Sequence, residues 1–246
     1  MLKNFYKHRL VLDKRAVFDY DYTSGVINLT LLYSSTPSHY TYYRQDVNTK
    51  FRKFHMDHFF QSERFEDSYC TYPNLYQQFA RQIQDGGTIV ELGSWKGQSA
   101  SVMCVELFNQ QKNKVRFFAV DTWEGSEGEG HKEDKWIKEG KLYDKFKENL
   151  QDVENYYIPL KMTTEQASHH FSDGSCDIVF IDADHTYEGV KKDIKLWKNK
   201  IRKGGTLAGH DYDPAGKSWA EVKKAVDESF GNDVMPVIGG CWMVQR

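Results

Sequence analysis

No stretch of this 246-residue chain approaches the roughly 20 consecutive apolar residues that a membrane-spanning helix needs. Mean hydropathy is −0.70, so no membrane segment is expected. The four cysteines, Cys70, Cys104, Cys176 and Cys241, are scattered and form no CxxC pair. That spacing argues against a zinc site and fits free thiols in a reducing compartment. The opening residues, MLKNFYKHR, lack the small-residue cleavage site of a secretory signal, and a cytoplasmic location is the expectation. One-sided charge is missing too. Thirty-three basic and 35 acidic side chains leave a formal net charge of −2, which offers no basic field to nucleic acid or to a membrane surface. Internal repeats and low-complexity tracts are also lacking.

What is present centres on the run from Thr88 to Ser99, TIVELGSWKGQS. An apolar, β-rich stretch meets an acid and two glycines, and a helix-like segment follows. Gly93 and Gly97 carry no Cβ and let backbone approach a ligand closely. A helix N-terminus over such a loop favours an anionic group. Glu91 changes that expectation, because a carboxylate at the strand end suits hydroxyls or a cation and repels a chain of phosphates. The spacing also fails both the GxGxxG fingerprint and the GxxxxGK[ST] phosphate loop.

Residues 1–73 differ in texture from 74–246. Strands are expected at Val11-Leu12, Val17-Phe18 and Val26–Leu32, with a turn at Thr23–Gly25. Aromatic and charged residues then alternate irregularly from Tyr40 through Tyr42, Tyr43, Phe51 and Phe54 to Phe60. This reads as an accessory cap, either a lid over a pocket or a contact through which the chain forms a homo-oligomer. His55 and His58, three apart on a helix-like stretch, lack a third ligand and read as surface residues. From Pro73 onward the pattern becomes regular. A helix over 74–84 ends at Asp85-Gly86-Gly87. Strands are expected at Ile89–Leu92, Val115–Val120, Tyr156–Lys161, Asp177–Asp182 and Thr206–Asp211, and two short ones at Val234–Ile238 and Cys241–Val244. Helices separate them: Ser99–Asn109, Glu165–His170, a stripe of Val190, Ile194, Trp197 and Ile201 stopping at Gly204-Gly205, and a stripe of Trp219, Val222, Val226 and Phe230. Strands alternating with helices imply an α/β, doubly wound, mostly parallel sheet, seven-stranded with one antiparallel edge strand, with ligands beyond the strands' C-terminal ends. Glu91, Asp121, Asp182 and Asp211 each end one of these strands. Four carboxylates on one rim of an apolar sheet point to a binding site.

Taken together, ELGSWKG at 91–97, Asp121-Thr122-Trp123, FIDADHTYEG at 180–189 and Gly209-His210-Asp211 resemble the class I methyltransferases that use S-adenosylmethionine. The resemblance is to the group that includes macrocin-type sugar O-methyltransferases and cephalosporin-hydroxylase-like proteins, and it covers roughly residues 74–246. It implies a Rossmann-like fold and that cofactor. By resemblance, the loop with Glu91, Gly93, Ser94 and Gly97 cradles the methionine and ribose portions. Asp121 accepts the ribose hydroxyls, flanked by Thr122, and Trp123 walls the pocket. Thr164 and Glu165 stand where the adenine contacts fall, and Asp182 borders the cofactor as well. Ser99 is either a helix-cap hydroxyl or a cofactor contact.

The implied chemistry is O-methylation of a sugar or another small polyhydroxylated acceptor. An aliphatic hydroxyl has a pKa near that of water, about 16, so it needs a metal ion or a general base. By resemblance His185 is the base, with Asp182 also catalytic, and Asp182, His210 and Asp211 hold a divalent cation, magnesium or manganese. Where the metal-dependent relatives carry two oxygen ligands, this chain has His210 before Asp211. Either His210 makes a softer site, for manganese, iron or zinc, or it is a supporting or base residue without a metal. Two rival readings are a cofactor-binding interaction module without transferase activity and a hydroxylase-like role.

Overall fold

A run such as CDIVFI at 176–181 is apolar without alternation, which on a strand demands cover on both faces. The fold supplies that cover. The computed structural model describes residues 7–11, 16–21, 26–31, 38–43, 55–126 and 131–246. Strands β1 (Lys7–Val11), β2 (Ala16–Asp21), β3 (Val26–Leu31), β4 (Ser38–Tyr43) and β5 (His55–Met56) pair antiparallel in sequence order. A second sheet contains β6 (Thr88–Leu92), β7 (Arg116–Asp121), β8 (Ile158–Lys161), β9 (Cys176–Ile181), β10 (Ile201–Gly209), β11 (Met235–Val237) and β12 (Cys241–Gln245), in the order β11-β12-β10-β9-β6-β7-β8. The helices are α1 (Pro73–Gln82), α2 (Gln98–Asn109), α3 (Lys135–Lys138), α4 (Leu142–Asn149), α5 (Thr164–Ser168), α6 (Tyr187–Trp197) and α7 (Ala220–Phe230).

The second sheet is the expected doubly wound one. Strands β8, β7, β6, β9 and β10 are parallel neighbours. Antiparallel pairing is confined to the edge where β12 joins β10 and β11 joins β12. Side chains alternate across the sheet. Ile89 meets a layer with Leu75, Phe79, Val102 and Leu107 from α1 and α2. Val90 and Leu92 meet the opposite layer, with Ile194, Trp197 and Val226 from α6 and α7. Each such aliphatic side chain contributes about 1.5–3 kcal/mol on burial. The chain runs from β6 outward through β7 to β8, then returns to β9 and continues the other way. The order therefore reverses between β6 and β9, where a doubly wound sheet opens its crevice.

Helices α3 and α4 fall where no helix was expected, and the end of α6 differs from expectation. The stripe through Ile201 ends early: α6 stops at Trp197, and Ile201 opens β10. The Gly204-Gly205 pair lies inside that strand, where the register against β9 shifts between Ile201 and Thr206. A Cβ on Gly205 would stand 2.7 Å from the Asp177 carbonyl oxygen, so the glycine serves a close strand approach. Spacing of three or four residues cannot tell a helix's last turn from the first residue of the next strand.

Strands β2 and β3 contain the expected Val17-Phe18 and Val26–Leu31, β1 ends at Val11 where a strand was expected to begin, and β4 (Ser38–Tyr43) takes up the first of the irregularly alternating aromatics. The turn at Thr23–Gly25, Leu12, Leu32, Phe51 and Phe54 lie outside the described residues. His55 falls on β5 rather than a helix, and His58 Nε2 lies 2.9 Å from Glu106 Oε1. Residues just before the expected boundary at 73 already join the core of the second sheet, through Met56, Phe65 and Tyr72. Asn109 fastens β5 to α2: the Met56 amide donates to its Oδ1 at 2.7 Å, and its Nδ2 donates to the Met56 carbonyl at 2.9 Å. Asn109→Ala would leave both buried backbone groups unpaired, and a loss of about 1–3 kcal/mol per group is expected in urea unfolding.

Candidate active site

The loop after β6 turns at the crevice. Gly93 has φ +88, and a Cβ there would stand 1.9 Å from the Asp182 carbonyl oxygen. Its glycine is thus demanded by the end of β9, not by a ligand, although the residue does line the cavity. Gly97 is the left-handed N-cap of α2, and its missing Cβ would press on Phe146 and Leu150 at 3.0 Å. It stands away from the cavity lining.

Glu91 is fully buried and also does not line the cavity. Tyr76 OH at 2.8 Å and Ser99 Oγ at 2.7 Å donate to its Oε1, and Ser94 Oγ at 2.7 Å donates to its Oε2. Burial pushes its carboxyl up to about 7, against the lowering effect of those hydroxyls. Glu91 therefore braces the loop from behind, and the Ser99 hydroxyl is spent on Glu91 and does not cap α2. Ser94 and Ser99 reach the cavity wall.

Asp121, at the end of β7, lines the cavity. Its Oδ2 accepts the amides of Ser94 and Trp95 at 2.9 and 2.8 Å, and Oδ1 accepts that of Trp123 at 2.7 Å. A carboxylate has about four lone-pair positions, so one remains for a ligand hydroxyl. Thr122 and Thr164 line the cavity as expected. Trp123 and Glu165 do not. The Trp123 indole is 3% exposed and packs on Tyr143 and Phe146, and Glu165 is exposed and pairs with Lys192 at 2.8 Å.

Across the crevice, the ends of β9 and β10 gather Asp182, His185, His210 and Asp211, all of which line the cavity. His185 Nε2 lies 2.8 Å from Asp211 Oδ2 and 3.5 Å from Asp182 Oδ1. His210 Nδ1 lies 3.4 Å from both Asp182 Oδ1 and Asp211 Oδ1. Burial alone would raise the two carboxyls, but hydrogen bonds from His185 and His210 outweigh it and hold both below the usual carboxylate range. Burial likewise opposes charge on His210, yet the two carboxylates hold its ring up to about 10. One ligand atom each from Asp182, His185 and Asp211 falls within 4.8 Å of the others. Donors around one small cation at about 2.1 Å stand roughly 3 Å apart at right angles. His210, expected as a ligand, is not in that group, although its Nδ1 lies 3.4 Å from one oxygen of each acid. Two carboxylates with imidazole suit manganese, iron or zinc better than magnesium.

The cavity is about 1470 Å³. Its wall includes Trp95, Asp211 and Trp219, all non-glycine residues at positive φ (46, 57 and 51°). Such backbone costs about 1–3 kcal/mol per residue and gathers at functional sites. Sequence reading missed Thr71, Tyr72, Asp193 and Trp219, which also line the cavity. The Trp219 ring packs on His185 at 5.0 Å. Asp193 carried a readable signal, since it places an acid beside the apolar stripe of α6.

A family model described as a methyltransferase domain matches residues 90–212, the segment that carries the loop, Asp121 and the four-residue cluster. The chain belongs to that family. It is a class I methyltransferase domain, and S-adenosylmethionine is the cofactor the family implies. The protein y4gI of Sinorhizobium fredii is 28% identical over 123 residues, 50% of this chain and 13% of that protein. The chain thus spans only a small part of that relative's length. Among solved structures, the O-methyltransferase NovP is similar at 17% identity and TM-score 0.54, over 72% of this chain and 79% of its own. Cofactor-bound Rv0187 from MTB is similar at 15% identity and TM-score 0.50, over 72% and 79%. These two likenesses concern the fold. Among the described residues no helix is long and apolar enough to cross a membrane.

Glu91 generates a pH test. With its carboxyl raised from 4.5 to about 7, the folded chain keeps a proton that the unfolded chain releases across that window. Stability from this group therefore falls as pH rises from 4.5 to 7, by about 3 kcal/mol. His210 adds a loss of the same sign above 6.5, so the comparison is with Glu91→Gln, which keeps His210. The difference in unfolding free energy between wild type and variant should change by about that amount between pH ~5 and ~8, in favour of the variant at the higher pH. A pH-independent difference refutes the assignment.

Proposed function

We propose that this chain transfers the methyl group of S-adenosylmethionine to a hydroxyl of a sugar or other small polyhydroxylated metabolite, with a divalent cation assisting. The observation that carries the reading is the convergence of Asp182, His185, His210 and Asp211 on one rim of the cavity, opposite the Gly93 loop and Asp121. The cavity volume of about 1470 Å³ exceeds the ~300–1000 Å³ of a typical single-ligand site, which leaves room for donor and acceptor together.

S-adenosylmethionine supplies an already activated sulfonium methyl, and the cation lowers the pKa of an oxygen beside it. The protein's own residues have two tasks: placing the acceptor oxygen in line and removing its proton. Asp182, Asp211 and His210 would hold the cation, with His210 Nδ1 3.4 Å from one oxygen of each acid. Asp211 keeps its other oxygen, Oδ2, for His185 Nε2 at 2.8 Å. As the oxygen–methyl bond forms and the sulfur–methyl bond breaks, the acceptor's proton passes to the other ring nitrogen of His185, Nδ1, because Nε2 already donates its proton to Asp211. The resulting imidazolium is hydrogen-bonded to Asp211, and the sulfur departs as the neutral thioether of S-adenosylhomocysteine.

Two results are expected. His185→Ala and Asp182→Ala lower acceptor-dependent release of S-adenosylhomocysteine by about 100-fold or more, tested over a panel of sugars and nucleotide sugars, while calorimetry finds its binding retained. Retained turnover in both variants sinks the assignment. Removing divalent cations with a chelator abolishes turnover and added Mn2+ restores it. Full activity in chelator leaves His185 as base and removes the cation from the reading.

A further inference from the structure

The family region begins at residue 90, yet two residues well upstream of it touch the cluster. Tyr72 is 3% exposed. Its ring packs on His210 at 4.7 Å, Phe180 at 4.8 Å and Tyr76 at 5.2 Å, and its hydroxyl donates to Asp182 Oδ2 at 2.7 Å. With the ring wedged on three sides, that hydroxyl has little freedom. The other oxygen, Asp182 Oδ1, stands 3.4 Å from His210 Nδ1 and 3.5 Å from His185 Nε2. The two oxygens thus have separate partners. An aspartate's terminal torsion is otherwise broad, and the carboxylate could turn either oxygen, or both, toward the imidazoles.

Thr71 treats His210 in the same way. Its Oγ1 donates to the Gly239 carbonyl at 2.6 Å, and so accepts from His210 Nε2 at 2.9 Å. The Gly239 carbonyl, 3.1 Å from that nitrogen, can only accept. Both contacts require a proton on Nε2, which leaves Nδ1 as the atom presented to the carboxylates.

We propose that Tyr72 is a positioning residue of the methyl-transfer site, fixing Oδ2 of Asp182 so that Oδ1 alone is offered to His185, His210 and a divalent cation held with them. The last element rests on the cation reading above. A tyrosine serving only the core would fill the same space, and its hydroxyl could be removed without consequence for the cluster. Tyr72→Phe keeps the ring and its packing and takes away only the hydrogen bond.

The test uses the full chain, wild type and Tyr72→Phe, saturated with S-adenosylhomocysteine, with free Mn2+ counted by electron paramagnetic resonance. The expected result is a loss of about tenfold or more in Mn2+ affinity, while S-adenosylhomocysteine affinity by calorimetry stays within about twofold. Equal Mn2+ affinity in the two proteins overturns the proposal and leaves the cation reading intact. Parallel losses of Mn2+ and S-adenosylhomocysteine affinity mark Tyr72 as general support for the fold, and overturn it as well. If the wild type binds no Mn2+, the cation reading falls, and the ring nitrogen resonances of His185 decide the positioning role. His185 faces Asp182 Oδ1, so resonances that move in Tyr72→Phe support a turned carboxylate, and unchanged ones overturn the proposal.

Discussion

Asp182 joins the parts of this site through its backbone and its side chain at once. Its amide donates to the Leu92 carbonyl at 2.8 Å, and its own carbonyl sits where a Cβ on Gly93 would have to stand. Those contacts lock the end of β9 to the loop after β6. Its carboxylate then takes the Tyr72 hydroxyl on one oxygen and faces two histidines with the other. The Gly93-loop side and the acid–imidazole side of the cavity are therefore fastened by one residue across the point where strand order reverses. Strained backbone at Trp95, Asp211 and Trp219 is retained around that rigid junction, consistent with a constellation held in place before any ligand arrives.

Four acids on one rim repel one another unless each is dealt with, and each is dealt with differently. Glu91 is withdrawn into the core, where burial raises its carboxyl and three hydroxyls occupy its oxygens. Asp121 is held by three backbone amides, which stabilise a carboxylate without cancelling its charge. Asp182 and Asp211 are balanced by His185 and His210. Of these four acids, only Asp121 and the two histidine-paired ones bring a carboxylate to the cavity wall. That suits a cationic sulfonium cofactor, and it suits a cluster whose protons a metal ion can replace.

The sheet and its rim were legible because they follow local rules. CDIVFI reads as a doubly covered strand, and an acid directly after such a run falls at its C-terminal end. The reasons behind individual residues were less legible. Gly93 and Glu91 look like cofactor residues in a linear reading, yet one is glycine because of a carbonyl on β9 and the other braces the loop from the core. Gly204-Gly205 resembles a helix stop and instead marks a shift of strand register. Tyr72 and Thr71 could not be read at all, because their partners lie 110 and 139 residues away. Local patterning reports which face a residue takes, whereas contacts over such separations depend on how the two halves of the sheet come together.

This distribution changes how the segment before α1 should be understood. Residues 90–212 carry the loop, Asp121 and the acid–imidazole cluster. The groups that decide which oxygen of Asp182 and which nitrogen of His210 face the cavity come from either side of that region: Thr71 and Tyr72 before it, Gly239 after it. Asp67, Ser68, Tyr69 and Cys70 continue along the same wall, and Tyr69 is 83% exposed there. On the proposed reading, a stretch that both orients Asp182 and His210 and walls the cavity joins acceptor recognition to catalysis. An acceptor that displaced it would disturb Asp182 and His210, whereas one that packed against it would find them already aligned.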